Sequence, residues 1–156
     1  AGAREAIGFD SDSTAVDAAF ARAAGKNLPF LPLVMDAADP TPGQGWLGLE
    51  RKSLGARANA DGLLAYAILH HLSIGRNIPL AEIVAWLIRL APQGVIEFVE
   101  KEDPMVRRML DLRDDIFADY RREVFLAAVR RDAEIVDMKE VIEKRRVLVW
   151  YCRRPD

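Results

Sequence analysis

The most constraining feature of this chain is the order of its apolar segments: short runs of strand length alternate with longer stretches of helical periodicity, and each run closes on a polar residue. Ala6-Ile7-Gly8-Phe9 reads as a buried strand ending at Asp10. Ser11 to Ser13 offer an N-cap, and Val16, Ala19, Phe20 and Ala23 follow as an apolar stripe that Gly25 stops. Phe30 to Met35 read as the next strand, with Asp36 at its end. The stretch from Asp39 to Gly45 holds two prolines and two glycines and is expected to be loop. Gly62 to Leu69 are almost wholly apolar, and the pattern predicts a central strand ending at His70-His71. Pro79 then opens a helix carrying Leu80, Ile83, Val84, Leu87 and Ile88 on one face.

Beyond Pro92-Gln93-Gly94, Val95 to Val99 predict another strand, ending at Glu100. Asp103-Pro104 is a helix start, an N-cap with proline at the first helical position; Val106, Met109, Leu110 and Arg113 continue it. A further helix is expected from about Asp119 to Arg131. Ile135-Val136 and Val147 to Cys152 close the chain as two strands joined by a long connection from Asp137 to Arg146. Strands alternating with helices argue for a parallel sheet covered on both faces, and the final strand pair for an antiparallel addition at one edge. The expected class is α/β: a Rossmann-like, doubly wound, mostly parallel sheet with an antiparallel C-terminal hairpin, in one domain over residues 1–156. A length of 156 residues suits one domain with one substantial core.

In open sheets of this kind ligands bind outside the carboxyl ends of the strands. Asp10, Asp36, His70, His71 and Glu100 therefore carry more functional weight than polar residues elsewhere. An acid after a strand, as at Asp10, is placed to accept hydrogen bonds from both hydroxyls of a ribose; the bland alternative is a helix N-terminal acid, a job for which Asp12 is better spaced. Asp36 can accept from an adenine amino group while the amide of Ala37 serves a ring nitrogen, unless Asp36 and Asp39 merely cap the turn around Pro40. His70 or His71 can act as a general base, neutral imidazole being suited to that role near neutral pH. A metal is not expected: neighbours on a strand point to opposite faces, and no third ligand is spaced to help.

Gly43-Gln44-Gly45-Trp46-Leu47-Gly48 matches G-x-G-x-x-G, the pattern of a dinucleotide-dependent oxidoreductase. That motif needs a strand directly before it and a helix opening within it, and Pro40 and Pro42 forbid the strand. A loop anchored by Trp46 is the better expectation. Cys152 is the one cysteine, so no intrachain disulfide forms, and its apolar strand predicts a small buried side chain. Lysine and arginine number 22 against 24 acidic residues, and the arginine pairs are dispersed, so no nucleic-acid footprint is expected. No apolar run is long enough to cross a bilayer and no secretory leader is visible, which predicts no membrane partner and a cytoplasmic protein. The composition is compatible with a homo-oligomer.

Several segments also resemble a known family. Ala6 to Asp10, Asp36 to Pro42 with Gly45-Trp46, Ala67 to Leu72, Asn77-Ile78-Pro79-Leu80, Val95 to Val106 and the terminal Arg146 to Trp150 are similar to bacterial class I methyltransferases, nearest to a nodulation-protein-like group. The resemblance runs over nearly the whole chain. It implies a seven-stranded sheet of order 3-2-1-4-5-7-6 with S-adenosylmethionine as cofactor and methyl donor to an unidentified acceptor. It also implies Asp10 as the ribose-binding acid, Asp36 and Ala37 on the adenine side, and His70 and His71 beside the acceptor. The family begins with a strand and a glycine-rich loop, and Asp10 follows the start of this chain by only nine residues. The chain is therefore expected to be an N-terminally incomplete version of the domain. The alternative expectation is a non-catalytic, methyltransferase-like interaction module or fragment.

Overall fold

The computed structural model describes residues 2–111, 114–142 and 145–154; Arg113, expected to continue a helix, lies outside them. The chain forms two compact units, Ala1–Leu54 and Gly55–Asp156.

In the first unit, β1 (Ala6–Asp10) pairs in parallel with β2 (Phe30–Val34), with Ala6 opposite Phe30 and Asp10 opposite Val34. Helix α1 (Ser13–Gly25) connects them. Its N-cap is Asp12, whose carboxylate accepts from the N–H groups of Thr14 (2.8 Å) and Ala15 (3.4 Å) and so satisfies two donors that the first turn leaves over. Gly25 is the last helical residue, and the left-handed turn after it is made by Asn27 at φ 48°. Asparagine tolerates that region because its short side chain hydrogen-bonds locally. Pro32 sits inside β2. The bonds from Ala6 N–H to Pro29 O and from Met35 N–H to Asp10 O show that odd-numbered residues of this stretch face β1. Pro32, of the other parity, points its nitrogen to the outer edge, where a missing donor breaks no pairing.

After β2 the chain runs through a loop that turns back on itself at a single bridge between Gln44 and Arg51. Gly45 (φ 82°), Leu47 (φ 54°) and Gly48 (φ 72°) take positive φ angles in this turn, a region that glycine enters without steric cost. The G-x-G-x-x-G sequence thus makes a loop. Trp46, expected to anchor it, is instead 77% exposed.

The second unit holds a four-stranded sheet of order β3-β4-β6-β5, built from β3 (Leu63–Ala65), β4 (Gln93–Val99), β5 (Ala133–Val141) and β6 (Arg146–Arg153). β3 and β4 are parallel; β6 runs antiparallel to both β4 and β5. The expected connection from Asp137 to Arg146 is corrected: Asp137 to Val141 continue β5. Their charged, largely exposed side chains suit an edge strand, and that composition hides the strand from a search for apolar runs. Cys152 is exposed rather than buried, because the pleat turns it away from the core face that takes Val149 and Tyr151.

The larger correction concerns residues 62–71. The strand stops at Ala65, and helix α3 (Leu69–Arg76) begins four residues later with His70 and His71 in its first turn. A three-residue strand and the buried face of a helix follow each other without a polar break, and a continuous apolar run does not separate the two by periodicity. The break is in the backbone: Ala67 adopts φ 51°.

Helix α4 (Leu80–Leu90) buries the expected face of Leu80, Ile83, Val84, Leu87 and Ile88, with Pro79 as its N-cap, one place earlier than expected. Helix α5 (Pro104–Leu110) starts as expected on Asp103-Pro104, and α6 (Arg122–Asp132) packs on α4. A short helix, α2 (Leu54–Arg57), precedes the sheet. The core of this unit lies between the sheet and its helices, with Ile96, Phe98, Val99, Val106, Phe125 and Tyr151 fully shielded. Phe98 stacks against Tyr120 and Phe125 at centroid separations of 4.9 and 5.2 Å. The described helices include none long and apolar enough to cross a membrane.

Candidate functional site

Asp10 and Asp36 come together at one end of the first unit, the carboxyl end of its two parallel strands. Asp10 is the final residue of β1, and Asp36 lies two residues past the strand position opposite it. Each carboxylate is oriented by the chain that follows it. One oxygen of Asp10 accepts from the N–H of Asp12 at 2.9 Å, and one oxygen of Asp36 accepts from the N–H of Ala38 at 2.9 Å. Both are Asx turns, a local geometry that aspartate favours after a strand. Asp10 is exposed, and among the described residues its second oxygen has no protein partner. Asp36 and Ala37 are half-buried in the turn.

In the second unit, His70 and His71 stand at the carboxyl end of β3, on the first turn of α3 rather than on a strand. Their rings lie 4.2 Å apart at 38°. His70 is 2% exposed, and His71 is exposed to solvent. Burial pushes the His70 imidazole down to about 4, aided by the charges of His71 and Arg146 against an opposing effect of Asp103. His70 is therefore neutral near pH 7, and its Nδ1 is buried with no hydrogen-bond partner among the described residues. Glu100, the last of the expected strand-end residues, pairs with Arg122 at the start of α6.

The sequence reading missed a buried charge cluster beside the same strand end. Glu97 lies in the middle of β4 at 6% exposure, Asp103 precedes α5 at 3%, and Arg146 opens β6. Arg146 donates from Nε to Asp103 (2.9 Å) and from Nη1 to Glu97 (3.4 Å). The other oxygen of Glu97 accepts from the N–H of Ala67 at 2.6 Å. Burial acts to raise the Asp103 carboxyl, but hydrogen bonds from Arg146 and from the N–H of Met105 outweigh it and hold it below the ordinary carboxylate range. The sequence held one signal for this cluster: a glutamate in an otherwise apolar strand must find partners, because a lone buried carboxylate is too costly.

No protein-family model matches the chain. It is 49% identical over 152 residues to "Nodulation protein NoeA" of Rhizobium meliloti (strain 1021), covering 97% of this chain. The matched region is 32% of that protein, so the chain spans about a third of its relative's length. Among solved structures it is similar to the 16S rRNA methyltransferase RmtF in complex with S-adenosyl-L-homocysteine, with TM-score 0.59 and 16% identity over 95% of this chain and 47% of that one. It is also similar to the PH0226 protein of Pyrococcus horikoshii OT3, with TM-score 0.59 and 12% identity over 96% of this chain and 72% of that one.

Proposed function

We propose that this chain, which has the α/β fold of the class I methyltransferases and is homologous to part of a nodulation protein, supplies the nucleoside-binding half of an enzyme that transfers a methyl group from S-adenosylmethionine. The observation that carries the reading is the pair of oriented acids, Asp10 and Asp36, at the carboxyl ends of adjacent parallel strands. This is the place where open sheets of this class bind ligands. The sheet orders support it too: β2-β1 and β3-β4-β6-β5 correspond to the 3-2 and 4-5-7-6 portions of the order that the sequence resemblance implies.

The donor set fits a nucleoside. Asp10, held by the Asp12 N–H, keeps one oxygen for ribose hydroxyls, and the Asp36-Ala37 turn offers an acceptor and an amide N–H to an adenine edge. When bound, S-adenosylmethionine supplies an electrophilic methyl group on a sulfonium sulfur. The work left to the protein is alignment of the acceptor and exclusion of water. His71, exposed on the first turn of α3, is the proposed base for the acceptor's proton, with the neutral His70 ring packed behind it. The acceptor itself is unassigned.

Calorimetric titration with S-adenosylhomocysteine tests the reading, using the protein with any flanking sequence its gene encodes. Binding is expected, and Asp10→Ala should weaken it by about 1–3 kcal/mol, the cost of leaving buried hydroxyl partners unmet. Absence of binding at millimolar ligand would overturn the reading in favour of an interaction module. Unchanged affinity in Asp10→Ala would remove that residue from the site.

A further inference from the structure

The turn after β3 is held from an adjacent strand. Ala67 occupies the left-handed region at φ 51°, which a residue with a Cβ keeps only where its surroundings impose it. The Glu97 carboxylate, 30 positions along the chain, takes the Ala67 N–H at 2.6 Å. Ala65 faces Ile96 across the β3–β4 pair, so Glu97 stands one step beyond the last residue of β3. Arg146 neutralises Glu97 from the next strand and is itself tied to Asp103, whose other oxygen caps α5 through the Met105 N–H at 3.0 Å.

The sheet does not need this cluster for its register. β4 and β6 are paired at seven consecutive positions, from Gln93–Cys152 to Val99–Arg146. A well-packed apolar residue at position 97 would avoid the desolvation of a carboxylate, and replacing buried charges in this way is often neutral or stabilising. What an apolar residue could not supply is an acceptor for the Ala67 amide.

We infer that Glu97 is a positioning residue: it fixes the Tyr66-Ala67-Ile68 turn at the carboxyl end of β3, so that the turn meets a bound acceptor already arranged. The ligand in this statement rests on the methyl-transfer reading; the hold on the turn does not. Tyr66, 51% exposed, immediately precedes Ala67 on this turn.

Three variants of the full protein separate the possibilities. Glu97→Asp keeps the charge for Arg146 but withdraws the carboxylate by one methylene from Ala67. Glu97→Gln keeps an acceptor at the original reach. Asp103→Asn keeps the cap oxygen of α5 and removes the charge pair with Arg146. Hydrogen exchange at the Ala67 amide should accelerate at least tenfold in Glu97→Asp, return most of the way to wild type in Glu97→Gln, and stay unchanged in Asp103→Asn. Unchanged Ala67 exchange in Glu97→Asp would overturn the inference, as would an acceleration in Asp103→Asn equal to that in Glu97→Asp. The exchange readout needs no ligand, so it decides whether Glu97 holds the turn even if the wild-type protein binds no S-adenosylhomocysteine and the methyl-transfer reading fails.

Discussion

His70 shows how one side chain can tie stability to pH. Its folded-state value of about 4 lies below the 6.5 of an unfolded histidine, so acid favours the unfolded chain, which takes up the proton first. The stabilising contribution is complete above pH 6.5 and is lost as pH falls toward 4. The shift corresponds to about 3 kcal/mol at most. His71, Arg146 and Asp103 are the charged neighbours that tune it, and Asp103, itself held low, adds its own loss only at still lower pH. Urea midpoints for wild type should therefore drop between pH 6.5 and 4. The slope over that interval should flatten in His70→Asn, which has no proton to gain. A variant curve parallel to wild type would show that other groups govern the acid limb. At this scale the sequence was a good guide to which residues end up at strand ends: Asp10, Asp36 and Glu100 are there because a strand leaving an apolar sheet must re-enter water. It was a poor guide to the partners of Glu97: a glutamate within an apolar run signals that partners are needed, but Asp103 and Arg146 lie at the ends of other elements and nothing local names them.

Among the elements, legibility tracked local punctuation. Helix α5 was readable because Asp103 and Pro104 each do a job specific to a helix start, and α4 because its apolar face repeats through three turns. The β3–α3 passage was not, because the signal that ends the strand is the left-handed backbone of Ala67, and alanine does not advertise it. The second half of β5 was missed for the opposite reason, since edge strands carry charge where central ones carry aliphatic side chains. The β3–β4 pair also depends on a close approach at Gly94. A Cβ there would fall 2.5 Å from the carbonyl oxygen of Leu63 and 3.0 Å from Tyr151. Backbone cannot yield as a flexible side chain does, so Gly94→Ala should cost about 1–3 kcal/mol, read as a lower urea midpoint with amides of β3 exchanging faster. A midpoint within error of wild type would mean that β3 shifts freely and adds little to this sheet.

For the whole molecule, the distribution of shielded apolar side chains is uneven. Among the described residues, the buried hydrophobic side chains of Ala1–Leu54 are Val16 and Ala23, whereas Gly55–Asp156 encloses the others, including the buried rings of Phe98, Tyr120, Phe125 and Tyr151. Ile7, Phe9, Phe30, Leu31, Leu33 and Val34, on the two strands of the first unit, remain exposed. A two-stranded sheet with so little enclosed surface has few contacts to lose on opening. Native-state hydrogen exchange should therefore run at least tenfold faster in β1 and β2 than in β4 and β6. Equal protection in the two units would show that they open as one.

The position of Pro32 gives that small sheet a direction of growth. With its ring nitrogen turned to the outer margin of β2, that margin lacks a donor in its middle, while β1 presents an uninterrupted row of amides on its far side. An extended segment pairing with this sheet would find a donor missing beside Pro32 and none missing beside Ile7 and Phe9. A margin interrupted in this way discourages the endless edge-to-edge stacking that leads to fibres.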